Sequence, residues 1–279
     1  MACAGLPGSP LSMPNAPCPE LPLMRCRIES APDCQEASAL LERYLLPSFA
    51  RLADSPGEPP PRIRVERAAD QFQLFLNGHL RLSASRPAQL VPELVHMIDD
   101  AIVHRLNGLW AIHAGVVQWG KRTLLLPGGS HAGKSTLVAE LLRRGAIYFS
   151  DEYALIDSDG RVHPYPRPLL VRNGGPEQRP FLPKEFGART GTLPAAPGWI
   201  LSLIYQPNVA WNVTPVPQSA ALVNLLRNTP HVMADMPDLI GVFHRAVGQA
   251  QCYAGCRSDA ASAVDAILQL IGDPVPGEA

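Results

Sequence analysis

Two hydrophobic periods divide the chain. Residues 1–23 show neither and read as a loose tail rich in Pro, Gly, Ala and Ser. From residue 24 the pattern becomes foldable. A helix is expected over 36–46, and then residues 63–66 and 72–76 alternate as half-buried strands. Asn77-Gly78 signals a hairpin turn into a strand at 79–82. Between the first helix and these strands, Pro59-Pro60-Pro61 makes 55–61 a stiff linker. Leu90, Leu94, Met97, Ile98 and Ile102 recur at helical spacing and predict an amphipathic helix over 88–106.

The second half of the pattern is α/β. A strand at 112–118 turns at Trp119-Gly120-Lys121 into an apolar run at 123–127, short enough to be a buried parallel strand. A helix over 135–144 places Leu137, Leu141 and Leu142 on one face, ends in Arg143-Arg144 and stops at Gly145. Residues 146–150 form another apolar strand, and 153–156 with 161–163 read as a hairpin. Residues 164–198, rich in Pro and Gly, read as a long irregular connection, the kind of segment that often carries function. A strand at 199–205 follows, then helices over 220–227, 237–249 and 258–271, the last capped by Ser258. No internal repeat is visible. The organisation expected is a tail at 1–23, a smaller α+β region at 24–110, and an α/β nucleotide-binding core at 111–273.

Composition narrows the function classes. With 279 residues and 46% hydrophobic side chains the chain can bury a proper core. A formal net charge of −1 and the lack of a basic stripe argue against nucleic acid as the main partner. No apolar stretch is long enough to cross a bilayer, and no signal-peptide pattern opens the chain, so a cytoplasmic protein without a membrane partner is expected. Cys3, Cys18, Cys26 and Cys34 are scattered, and Cys252 and Cys256 form a C-x-x-x-C pair without zinc-ligand spacing, so reduced thiols are expected.

Residues 128–135 change the picture. Gly128-Gly129-Ser130-His131-Ala132-Gly133-Lys134-Ser135 is a complete phosphate-binding (Walker A) loop of the form G-x-x-x-x-G-K-[ST], continued by Thr136. Glycine lets the loop turn its N–H groups inward around phosphate oxygens, and the following helix N-terminus adds partial positive charge. Lys134 is expected on the β- and γ-phosphates of a nucleotide and the Ser135 hydroxyl on Mg²⁺. Each hydrogen bond to a charged phosphate is worth about 1.5–3 kcal/mol. His131 occupies a variable position and is expected to face solvent. The competing explanation is a chance match in a Gly-rich turn, which the strand before and the helix after oppose.

Phosphoryl transfer needs a carboxylate for the metal and a group that orients or deprotonates the acceptor. Asp151-Glu152, at the end of the next strand, stands where ligands bind in open α/β sheets. Successive residues point to opposite sides, so one acid can face the metal and the other the incoming hydroxyl, with one pKa raised by repulsion and burial. The plainer reading is a solvated acidic turn. His113, one strand upstream, is either a satisfied core histidine or a partner of Asp151 or the phosphates.

Taken together, residues 112–157 resemble HPr kinase/phosphorylase and the kinases related to it. The shared order is a His-Gly/Ala-Val-Val strand (His113-Ala114-Gly115-Val116-Val117), a short turn, the loop from Gly128 to Ser135, a helix ending Arg144-Gly145, and a strand ending in an acidic pair, Phe149-Ser150-Asp151-Glu152. The resemblance implies an HPr-kinase-like fold and an ATP- and Mg²⁺-dependent kinase. It places Lys134 on the phosphates, Ser135 on Mg²⁺, Asp151 and Glu152 as base and metal group in either order, and His113 as their partner. The implied acceptor is a serine of a small protein or peptide, and a homo-oligomer is compatible with it. The chain departs from the family at Glu152, where the second Asp is expected. It departs again at Leu170-Val171-Arg172-Asn173, which lacks the Glu of the family's later Glu-Ile-Arg-Gly segment. No counterpart of the basic loop tied to phosphorolysis is found, and residues 1–110 do not look like the usual partner domain. The alternatives are a nucleotide-binding regulatory or scaffold protein without phosphotransfer, and a small-metabolite kinase on the same core.

Overall fold

The computed structural model describes residues 22–23, 27–30, 34–49, 53–54, 62–104, 106–129, 132–172, 175, 177–231 and 237–272. Ser130 and His131 of the glycine-rich loop, Asn173, Cys3, Cys18, Cys26, nearly all of the expected tail and the 55–61 linker lie outside these residues.

The chain opens with β1 (Pro22–Leu23), β2 (Arg27–Ser30), α1 (Gln35–Phe49) and β3 (Ala53–Asp54), followed by β4 (Arg62–Ala68), β5 (Gln71–Leu76) and β6 (His79–Ala84). Strands β2, β4, β5 and β6 make a four-stranded sheet in that order, and β1 pairs with β3. The β5–β6 connection is the two-residue turn the sequence signals: Asn77 and Gly78 both have positive φ, 51° and 84°, the conformation of a type I′ hairpin. α2 (Leu90–Val103) begins after a 3₁₀ turn at Pro87–Gln89, so the regular helix is shorter than its periodicity suggests. Its Leu90, Leu94, Ile98 and Ile102 are buried with Leu41 of α1, Ile63, Val65 and Leu74 of the small sheet, and Leu109, Tyr153, Leu155 and Tyr165 from further along the chain. One apolar cluster thus joins the N-terminal elements to the rest.

The larger sheet is built from β7 (Leu109–Trp119), β8 (Arg122–Pro127), then, after α3 (Lys134–Arg143), β9 (Ile147–Ser150), β10 (Tyr153–Asp157) and β11 (Val162–His163). The segment expected to be irregular instead forms a hairpin, β12 (Leu169–Arg172) with β13 (Gln178–Phe181), stabilised by burial of Leu169, Leu170 and Val171. β14 (Ala196–Tyr205), β15 (Asn212–Pro215), α4 (Gln218–Arg227), α5 (Leu239–Gly248), β16 (Gln251–Arg257) and α6 (Ala260–Ile271) complete the chain. The eight-stranded sheet has the order β11-β10-β7-β8-β14-β16-β15, with β9 paired to β7. It is mixed: β8, β14 and β16 run parallel, whereas β7 is antiparallel to β8. The 123–127 run is therefore buried as expected, but with a parallel neighbour on one side only.

Alternation along β8 sorts its side chains. Leu125 joins α4 and α5 on one face, and Leu124 and Leu126 join α3 and α6 on the other. α6 is capped by Asp259 rather than Ser258. The Asp259 carboxylate accepts from the Ser262 backbone N–H at 2.9 Å, and the Ser258 carbonyl is taken by Arg257. Among the described residues no helix is long and apolar enough to cross a membrane. Cys252 and Cys256 are free thiols, and Cys34 is buried.

Candidate active site

The glycine-rich loop leaves β8 at its C-terminal end and runs into α3. The Gly128 N–H donates to the His113 carbonyl at 3.1 Å, which ties the start of the loop to β7. Gly133 stands at the N-cap of α3 with φ +76°, a left-handed conformation that favours glycine, and a Cβ there would lie 2.3 Å from Arg257 Nη2. Among the described residues no side chain caps α3, and its first-turn N–H groups carry the positive end of the helix dipole. Lys134, the first helical residue, is 7% exposed and its Nζ donates to the Gly129 carbonyl at 3.0 Å. Burial lowers the Lys134 pKa, and the charges of Glu152 and Asp151 oppose that shift.

Asp151 and Glu152 occupy an interruption between β9 and β10, both of which lie along β7. The two acids follow the end of β9, where the sequence places them, and the chain resumes pairing at Tyr153, opposite His113. Ser150 Oγ accepts from the N–H groups of Glu152 (3.2 Å) and Tyr153 (3.1 Å), and the Glu152 carbonyl accepts from Ala114 N–H at 2.9 Å. This break sends the two acids into different surroundings.

Glu152, with 20% of its side chain exposed, lines the cleft, and its Oε1 lies 3.2 Å from His113 Nδ1. The His113 ring packs against Tyr153 with centroids 4.6 Å apart. Burial pushes the Glu152 pKa up. The hydrogen bond with His113 and the charges of Arg167 and Lys134 outweigh it, and the pKa falls to about 2. A pKa raised toward neutrality, which the sequence suggested for one of the pair, is not what this carboxyl has.

Asp151 is fully buried. Its Oδ1 accepts from Tyr148 Oη and Arg167 Nη1, both at 3.1 Å, and its Oδ2 from Leu170 N–H at 3.3 Å. Arg167 is equally enclosed, with Nε 3.1 Å from Asp99 Oδ2 and Nη1 3.8 Å from Glu152 Oε2. Burial disfavours its charge, but Asp99 and Asp151 more than compensate, so the guanidinium stays protonated. Asp99, from α2, also accepts from Tyr165 Oη at 2.6 Å. Burial raises its pKa to about 6 despite Arg167.

A cleft of about 510 Å³ brings the parts together. Ala132, Gly133, Lys134, Ser135, Thr136 and Glu152 all line it, with Arg172 and Gln178 from the β12–β13 hairpin, and Tyr205, Arg257 and Asp259 from the other side. Its size suits a small-molecule ligand. His113 meets the cleft through Glu152, and Asp151 does not line it. Among the described residues no group of three or more His, Cys, Asp or Glu side chains is placed to hold a metal ion. One hydroxyl (Ser135) and one carboxylate (Glu152) on a shared cleft do fit a Mg²⁺ that takes its remaining ligands from phosphate and water.

Two arginines carry no signal in the sequence. Arg257 ends β16, 3% exposed, and its Nη2 donates to the carbonyls of Ala132 (2.9 Å) and Gly133 (3.3 Å) across 125 residues of chain. Arg167 links α2 to both acids from the stretch expected to be irregular.

No protein-family model matches the chain, and no curated protein matches it. Among solved structures the chain is similar to the HPr(Ser) kinase/phosphatase from Coxiella burnetii, at 14% identity and a TM-score of 0.32, over 57% of this chain and 94% of that one. At that level the likeness carries no functional argument.

Proposed function

We propose that this chain is an ATP-dependent kinase that passes the γ-phosphoryl group to a hydroxyl, a serine of a small protein or peptide. One observation carries the reading: Lys134, Ser135 and an ionised Glu152 line a single cleft at the N-terminus of an uncapped helix. The loop amides and Lys134 would hold the phosphates, with Lys134 turning from the Gly129 carbonyl to the β- and γ-oxygens. Ser135 would hold Mg²⁺, with phosphate oxygens and water as its other ligands, and the ion would neutralise charge on the phosphates when bound.

The acids divide their roles. Asp151 fixes Arg167 and the start of β12 and positions its neighbour. Glu152 faces the reacting atoms. As the acceptor oxygen bonds to the γ-phosphorus, the bond to the β,γ-bridging oxygen breaks and ADP leaves. The acceptor's proton passes to Glu152, whose geometry His113 maintains. A carboxylate with a pKa near 2 is a weak base. It suits a loose transition state, in which the hydroxyl needs orientation until its proton turns acidic.

A second reading, nucleotide binding without transfer, is favoured by the engagement of both Asp151 oxygens, which leaves one carboxylate of the pair for the cleft. Incubation with γ-labelled ATP and a serine-peptide library separates the two. Label transfer lost in both Lys134→Ala and Glu152→Gln supports the kinase; transfer that survives both variants ends it. Binding that needs Lys134 with no transfer to any acceptor selects the second reading.

A further inference from the structure

Three parallel strands, β8, β14 and β16, end side by side at the cleft, and each delivers a different group to it. β8 runs into the glycine-rich loop, β14 ends on Tyr205 and β16 ends on Arg257. The parallel register sets Tyr205 opposite Arg257, and the Arg257 guanidinium carbon lies 5.1 Å from the centre of the Tyr205 ring. On the other flank of β8 lies β7, with His113 and, beside it, Glu152. The order across the sheet therefore gives a bound nucleotide a direction. Its terminal phosphate belongs beside Lys134 and Glu152, and its nucleoside belongs on the β14–β16 side.

What stands on that side is an aromatic ring held from behind. Arg257 cannot swing: Nη2 is tied to Ala132 and Gly133, Nη1 donates to the Ser258 carbonyl at 3.0 Å, and the residue is 3% exposed. Its Nε is buried without a hydrogen-bond partner among the described residues. Tyr205, by contrast, is 51% exposed while lining the same cleft. A large aromatic side chain left half in water at the mouth of a polar cleft loses hydrophobic stabilisation that a stacked partner restores.

We infer that Tyr205, backed by Arg257, is the platform on which the nucleobase of the substrate stacks. This rests on the phosphate-binding reading of the loop and adds a site for the nucleoside. The cation beneath the ring fixes its plane, and stacking on its open side uses the π-face that every base presents.

Calorimetric titration of the full-length protein with ATP and, separately, inorganic tripolyphosphate tests it. In Tyr205→Ala the ATP Kd rises about tenfold or more, the scale of base–aromatic stacking, while the tripolyphosphate Kd stays at the wild-type value, which also shows that the variant is folded. Tyr205→Phe recovers most of the lost ATP affinity. An unchanged ATP Kd in Tyr205→Ala overturns the platform. So does equal weakening toward both ligands, because the ring would then act through Arg257 on the loop. A wild-type protein that binds neither ligand overturns the phosphate reading itself, and the platform with it, so the two failures look different.

Discussion

Asp151 and Glu152 share a peptide bond and belong to two regions built on opposite principles. Around Asp151, with Asp99, Arg167, Tyr148 and Tyr165, the charges and hydroxyls are enclosed and paired with one another, apart from Arg167 Nη2, which has no hydrogen-bond partner among the described residues. Around Glu152 the polar groups face a cleft, and among the described residues Lys134 donates only to a backbone carbonyl of its own loop. The first arrangement holds shape; the second leaves bonding capacity for a ligand. Changes in the buried region are therefore expected to cost stability, and changes in the cleft to cost chemistry.

The largest expected effect is in the buried region. Arg167→Met leaves Asp99 and Asp151 enclosed without their cation, and urea denaturation is expected to show a loss of about 3–5 kcal/mol. A loss below about 1 kcal/mol would mean that the cluster does not support the fold. Next comes Lys134→Ala, expected to lower phosphoryl transfer by about 10²–10³-fold. Its melting temperature should stay within about 2 °C of wild type, since the residue makes one hydrogen bond to a carbonyl and its burial disfavours its own charge. A large drop in melting temperature would erase the contrast between the regions.

The pH dependence of stability sharpens it further, because two acids near Arg167 titrate with opposite signs. Glu152 is lowered from 4.5 to about 2, so its contribution is present above pH 4.5 and is lost as pH falls toward 2. Asp99 is raised from 3.8 to about 6, so its contribution is present below pH 3.8 and is lost as pH rises through 6. Each shift corresponds to about 3 kcal/mol at most. Denaturation profiles are expected to flatten between pH 4.5 and 2 in Glu152→Gln and between pH 3.8 and 6 in Asp99→Asn. Flattening in the reversed windows would refute the assignment. Gly133→Ala joins the two regions: its positive φ alone costs about 1–3 kcal/mol, and the new methyl group collides with the tied Arg257 guanidinium, so urea denaturation is expected to show a loss of at least that size and calorimetry a weaker ATP Kd.

The sequence makes local features legible and distant ones not. The glycine-rich loop, α3 with its Gly145 stop, the Asn77-Gly78 turn and the β10–β11 hairpin each announce themselves within a dozen residues, through a motif or a period. β16 does not, because Gln251–Arg257 carries small and half-buried side chains in place of alternation, and its two cysteines draw the eye to metal chemistry instead. The β12–β13 hairpin hides among prolines and glycines. Arg257 reaches the loop across 125 residues, and Arg167 reaches Asp151 across 16 with nothing between them to mark the pair. Nor does a run of two acids reveal that a serine-stitched break will bury one and expose the other. That division is a tertiary outcome, set by Arg167 and by Leu170 of the following hairpin.

The measurement closest to the central claim is a double-mutant cycle on ATP turnover with Lys134→Ala and Glu152→Gln. If both side chains act on one terminal phosphate, the double variant is expected to lose little more than the worse single variant. Losses that add in full, or turnover that persists in the double variant, would contradict the account.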